Sequence, residues 1–342
     1  MDILVTMPTK SAHFPTFFYP ETIERMKKMG NVVFNESDKQ FTHEELCEHI
    51  KGKDVVMTGW SSPCVDEDVL KHADKLKYFA HTAGSVTNFL CEEVYNRGIK
   101  VLGGNEFFAE SVAESCLAYM LSSLRMIPFH AHNVSYNRGW RDPSETRSEG
   151  LYDKTVGIVS FGAISRYLIK LLKPFHVKIK LYSRKALPQD YLDENNIEQV
   201  SLEDVFRLSD IVSIQTAQNP QTVGMIKAEH FALMKDDALF INTARGSVVD
   251  EEALLNEIKK DRLYFVLDVF HEEPPISDIY YGRKRVIMQP HKGGPTVDRR
   301  HYITEALLTD IENDMAGKPT WLDIPWEVAK NMTNNDVGKK KK

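Results

Sequence analysis

Short apolar runs alternate with helical stretches along almost the whole 342-residue chain, and few folds satisfy that pattern. "DILVTM", "NVVFN", "DVVMTG", "LKYFAHT" and "IKVLGG" read as strands, separated by helical segments such as "PETIERMKKM", "THEELCEHIKG" and "CEEVYNRG". Short connections between such elements predict parallel sheet with helices on its faces. A long helix is expected over residues 109–127, then a polar, irregular stretch over 131–153. A second series follows: "TVGIVSF", "KIKLYSR", "DIVSIQT", "DALFINTA", "YFVLDVF" and "RVIMQP", with a last helix over 296–317. The fold class is therefore α/β with two doubly wound parallel-sheet units, and the second series has the six strands of a complete dinucleotide-binding fold.

Composition narrows the function. The chain is 42% hydrophobic, enough for real cores, and its formal charge of −6 argues against nucleic-acid partners. The basic run Lys339 to Lys342 reads as a solvated tail. No stretch reaches the roughly 20 apolar residues of a membrane span, and "MDILVTMPTK" reads as a first strand rather than a signal peptide. Cys47, Cys64, Cys91 and Cys116 are scattered, which predicts reduced thiols in a cytoplasmic protein and no metal site.

The segment "TVGIVSFGAISRYLIKLLKPF" (155–175) reads as strand, tight turn and helix. A dinucleotide fingerprint places Gly-x-Gly-x-x-Gly at such a turn, for a tight bend, a close backbone approach to pyrophosphate and close helix–strand packing. Here those places hold Ser160, Gly162 and Ser165. Gly162 keeps the position nearest the phosphates, and the helix N-terminus offers N–H groups to an anion. The next strand ends in Ser183, Arg184 and Lys185. An acidic residue there would hold the ribose 2′-hydroxyl of NAD. None is present, and Arg184 suits a 2′-phosphate, so NADP(H) is favoured over NAD(H).

Three further segments end strands of the same unit: "LFINTARGSVVDEEAL" with Arg245, "FVLDVFHEEPP" with Asp268 and Glu273, and "VIMQPHKGGPT" with His291. The carboxyl ends of parallel strands share one sheet edge, where ligands bind, so these distant residues are expected to converge.

These motifs, in this order and spacing, resemble the D-isomer-specific 2-hydroxyacid dehydrogenase family, which includes phosphoglycerate, glyoxylate/hydroxypyruvate and D-lactate dehydrogenases. "HTAGSVTNF" and "NRGIKVLGGNEFFAESVAES" resemble its substrate-domain end and interdomain helix, and the likeness covers about residues 50–317. The resemblance implies hydride transfer between NAD(P)H and C2 of a small 2-keto acid. Arg245 would clamp the substrate carboxylate and C2 oxygen. His291 would act as general acid or base, and Glu273 would orient its ring and favour its charged form. Asp268 resembles the residue that holds the nicotinamide carboxamide. Thr243 and Ala244 resemble cofactor contacts, Ala163 and Ile164 the pyrophosphate turn, and Gly84 and Ser85 the substrate-carboxylate loop. The resemblance further implies a Rossmann cofactor domain (109–292) inserted into a flavodoxin-like substrate domain (1–108 and 293–342). It also implies a homodimer, for which Val112, Cys116, Leu117, Met120, Leu121 and Leu124 offer apolar contacts or ordinary helix core.

The chain departs from the family pattern at Ser160 and Ser165, at Ser183 in place of the usual Asp, and at Gln215 in "VSIQTAQNP" where many members carry His. His13 or Phe14 in the N-terminal loop would line the substrate pocket or simply pack. Two alternatives stay open: a formate- or phosphite-type dehydrogenase, though residues 81–89 hold no lysine for phosphite, and a non-catalytic dinucleotide-sensing protein of the same fold.

Overall fold

A computed structural model describes residues 1–141 and 147–337, so the C-terminal lysine run lies outside the described residues. The chain divides into two compact units. No helix of the described residues is long and apolar enough to cross a membrane.

One unit comprises Met1–Phe108 and Pro295–Asp336. Its strands are β1 (Asp2–Pro8), β2 (Asn31–Asn35), β3 (Val55–Thr58), β4 (Tyr78–His81) and β5 (Lys100–Gly103). They form one parallel sheet in the order β2-β1-β3-β4-β5, the flavodoxin-like order. Side chains alternate between two cores, as the two-residue period of a strand demands. Ile3, Val5, Val55 and Met57 enter one core, Leu4, Val56 and Phe79 the other. Every position of β3 and β4 is buried, which explains why these strands read as unbroken apolar runs.

The other unit comprises Ala109–Gly294 together with Val337. Its strands are β6 (Thr155–Val159), β7 (Lys178–Tyr182), β8 (Ile197–Gln199), β9 (Ile211–Ile214), β10 (Leu239–Asn242), β11 (Tyr264–Leu267) and β12 (Val286–Met288). The order is β12-β11-β10-β9-β6-β7-β8, all parallel. The chain runs outward in both directions from β6 and β9, which makes the gap beyond their carboxyl ends a topological switch point. The six expected strands are present, and β8 is a seventh. It has three residues and one buried apolar side chain, Ile197, too little to register as a pattern; pairing with β7 makes it a strand.

Two helix expectations need correction. The helix expected over 109–127 is Asn105–Leu124, and a second helix, Ile127–Ser135, occupies the start of the stretch expected to be irregular. Pro128 separates them: it has no N–H to donate and its ring would strike the carbonyl of Leu124. The chain turns through Met126 in the left-handed region (φ 51°). The last helix is Arg300–Met315, shorter at both ends than expected.

Candidate active site

Strands β10, β11 and β12 are adjacent and parallel, so the segments that follow them leave from one edge. After β10, the Asn242 side chain accepts from the Ala244 amide (3.0 Å) and donates to the Arg245 carbonyl (3.0 Å), shaping residues 243–245. Arg245 donates from Nη1 to the Ala244 carbonyl (2.6 Å). Burial lowers the pKa of its guanidinium, and the charges of Glu273 and Asp268 oppose that shift. Gly246 is a contact no side chain can occupy: an added Cβ would lie 2.1 Å from the carbonyl carbon of Phe270. The loop carrying Arg245 therefore rests on the loop that carries Glu273.

Glu273 accepts from the Phe270 amide through Oε1 (3.2 Å) and meets His291 Nδ1 through Oε2 (2.8 Å). Burial alone would raise its pKa, but the hydrogen bond and charge of His291, the Phe270 amide and the Arg245 charge hold it below the usual carboxylate value. An ionised carboxylate only accepts, so Nδ1 carries the proton of that bond. His291 Nε2 makes no hydrogen bond among the described residues, and the ring is exposed. This leaves Nε2 as the atom able to exchange a proton with a ligand.

His291 sits in the left-handed region (φ 52°), which costs a non-glycine residue about 1–2 kcal/mol. Asp268 holds it there. The Asp268 carbonyl accepts from the His291 amide (2.9 Å), and its nearly buried carboxylate accepts from the amides of Lys292 (2.9 Å) and Gly293 (2.9 Å) and from the Tyr119 hydroxyl (3.2 Å). A Cβ at Gly293 would come within 2.8 Å of Asp268 Oδ2. Burial, then the Asp268 charge, raises the Tyr119 pKa.

Thr243 and Ala244 are nearly buried. The Thr243 hydroxyl lies 3.3 Å from Cys116 Sγ, and Gln215 Nε2 donates to Ser213 Oγ (2.8 Å) and Cys116 Sγ (3.2 Å). Gln215 thus ties the ends of β9 and β10 to the Asn105–Leu124 helix.

At the switch point, Gly162 caps the helix Ala163–Leu172, and a Cβ there would meet nothing within 4 Å. The open backbone and the unpaired N–H groups of a ten-residue helix, including those of Ala163 and Ile164, fit a dinucleotide pyrophosphate. Ser160 stands at φ 84°. After β7, Gln199 Nε2 donates to the carbonyls of Ser183 (3.0 Å) and Lys185 (2.9 Å), and its Oε1 accepts from the Leu187 amide (3.1 Å). The side chains of Arg184 and Lys185 are exposed and make no ion pair among the described residues.

Gly84 and Ser85 belong to the first unit, and Ser85 Oγ donates to the Thr333 carbonyl (2.7 Å). Phe14 is buried in that unit's core, while His13 is exposed beside Trp60. Cys116, Met120 and Leu124 are buried in the second unit's core, with Val112, Leu117 and Leu121 packed against it. The four cysteines are free thiols. Ligand atoms of His43, Cys47 and Asp68 lie within 4.8 Å of one another, but His43 Nε2 is engaged by Asp66 (3.0 Å) and Asp68 by Lys71 (2.9 Å).

The reading of the residues left Asn242, Gly246, Gly293, Tyr119 and Gln199 unassigned. The glycines after Arg245 and His291 were the visible signal; Asn242 acts through a local turn, and Tyr119 and Gln199 through contacts distant in sequence.

Residues 117–293 match the model of the D-isomer specific 2-hydroxyacid dehydrogenase NAD binding domain. A glyoxylate reductase of Thermococcus litoralis is 30% identical over 332 residues, covering 95% of this chain and 97% of that protein. A D-3-phosphoglycerate dehydrogenase of Methanocaldococcus jannaschii is 30% identical over 334 residues; the match takes in 97% of this chain but 59% of the longer relative. The apo D-mandelate dehydrogenase of Rhodotorula graminis shares the fold, with a TM-score of 0.79 at 21% identity over 95% of this chain and 97% of that one. With its Arg245, Glu273 and His291 segments gathered beyond neighbouring strands and its matched dinucleotide unit, the chain belongs to the D-isomer specific 2-hydroxyacid dehydrogenase family.

Proposed function

We propose that the protein is a reductase of small 2-keto acids that runs reversibly as a 2-hydroxyacid dehydrogenase. The observation that carries this is the 2.8 Å contact between His291 Nδ1 and an ionised Glu273, which leaves Nε2 free. When bound, a nicotinamide dinucleotide supplies or accepts the hydride. Gly162, Ala163 and Ile164 would hold its pyrophosphate, Ser183 and Arg184 its adenosine ribose, and Thr243, Ala244 and Asp268 its nicotinamide end. Arg245 binds the keto acid with its planar fork, polarising the C2 oxygen. His291 gives that oxygen a proton from Nε2 in reduction and takes it back in oxidation. Glu273 keeps the ring oriented and stabilises the charged imidazole.

The Ala109–Gly294 unit is the cofactor domain in this reading, and the unit containing Gly84 and Ser85 is the substrate domain. Exposed, unpartnered Arg184 and Lys185 support NADP(H) over NAD(H). Exposed Ile127, Val134, Tyr136 and Trp140 support a homodimer through the cofactor domain, and four free thiols support a cytoplasmic setting.

The test is a panel of glyoxylate, hydroxypyruvate, pyruvate and phenylpyruvate, each with NADPH and NADH. Turnover of at least one, faster with NADPH, is expected. A strong NADH preference removes the cofactor assignment. Tight cofactor binding without turnover of any acid favours the dinucleotide sensor.

A further inference from the structure

The cofactor turn carries serine where its fingerprint has glycine twice, and the two serines touch. Ser160 leaves β6 at φ 84°, a conformation glycine adopts freely and serine resists. Its own hydroxyl makes no hydrogen bond among the described residues, so the strained conformation gains nothing from its side chain. Two hydrogen bonds at its backbone groups hold it instead. Its amide donates to the Tyr182 carbonyl (2.8 Å) on β7, and its carbonyl accepts from Ser165 Oγ (2.8 Å). Ser165 is fully buried in the first turn of the helix that Gly162 caps. Its hydroxyl therefore needs a partner, and it finds one in the residue whose conformation is hardest to hold.

We infer that Ser165 is a positioning residue for cofactor binding: its hydroxyl locks Ser160 in the left-handed conformation and so presets the Gly162 backbone before the dinucleotide arrives. A glycine turn reaches this shape through chain freedom; this chain reaches it through a hydrogen bond across the bend. Binding then loses less to ordering the turn. The inference rests on the reading of the Gly162 turn as the cofactor site.

A double-mutant cycle on the full chain tests it, with NADPH and NADH affinities read by fluorescence titration and kcat and cofactor KM measured beside them. Ser165→Ala should weaken cofactor binding roughly three- to tenfold, the range one hydrogen bond supports, and raise cofactor KM by a similar factor with kcat nearly unchanged. In the Ser160→Gly background, where the left-handed turn has no steric cost, the same Ser165→Ala change should weaken binding less than twofold. Equal weakening in both backgrounds would mean that Ser165 acts through helix packing and would overturn the inference, as would unaltered affinity in Ser165→Ala alone. If the unsubstituted chain binds neither dinucleotide, the reading of the turn itself fails, and that outcome is distinct from either result above.

Discussion

Replacing Gly246 with alanine tests whether close contact between two loops builds the catalytic set. The added Cβ would sit 2.1 Å from the Phe270 carbonyl carbon, 2.2 Å from its oxygen and 2.4 Å from the His271 nitrogen. Unstrained heavy-atom contacts lie near 3.5 Å, so the two backbones must separate by more than about 1 Å. The Phe270 amide holds Glu273, and Glu273 holds His291. The separation therefore moves Arg245 away from its two partners in the reaction. A misplacement of about 1 Å costs on the order of 100-fold in rate, about 2.7 kcal/mol of transition-state stabilisation. Overpacking should also cost about 1–3 kcal/mol of stability, which lowers Tm by several degrees in a domain of this size. The assay is kcat/KM for the best keto acid, with Tm and cofactor affinity measured on the same preparation. Gly150→Ala is the control, because a Cβ there meets nothing within 4 Å. A folded Gly246→Ala protein with kcat/KM within threefold of the unsubstituted enzyme would refute the reasoning.

His291→Ala should lower kcat by about 10²- to 10⁴-fold while cofactor affinity stays nearly intact; unchanged turnover removes the residue from its role. Asp268→Asn must place an amide NH₂ against a backbone N–H of the 292–293 segment, at a cost of about 1–3 kcal/mol. Faster amide exchange at Lys292 and Gly293 is expected, and unaltered exchange at both contradicts the clamp. Glu273 supplies a pH dependence. Its pKa is lowered in the folded state, so its stabilising contribution is complete above the ordinary carboxylate pKa and is lost as pH falls through the lowered one. Urea midpoints should therefore drop more steeply as pH falls below the ordinary carboxylate range in the unsubstituted protein than in Glu273→Gln; parallel curves count against the pairing.

The sequence by itself determined the class of fold and where the chemistry stands along the chain. Strands such as β3, β4 and β9 are buried on both faces, so burial wrote itself into continuous apolar runs that need no partner to be read. Arg245, Glu273 and His291 were legible because each follows such a run, and parallel strands share an edge. Pro128, whose ring would clash with the preceding turn, marks the helix break in the sequence itself. Tertiary structure decided the rest. The edge strand β8 exists through pairing with β7, not through its own three residues. Gly246 and Gly293 matter because the Phe270 backbone and the Asp268 carboxylate approach them from 24 and 25 positions away in sequence. Asp268 orients the His291 segment through backbone amides, which every residue possesses and no sequence displays. The Ser160 carbonyl and the Ser165 hydroxyl meet only because a bend brings strand and helix together. Periodicity records which side chains leave water; close approach and hydrogen-bond partnership depend on where the backbone returns, and that is settled only when the chain has folded.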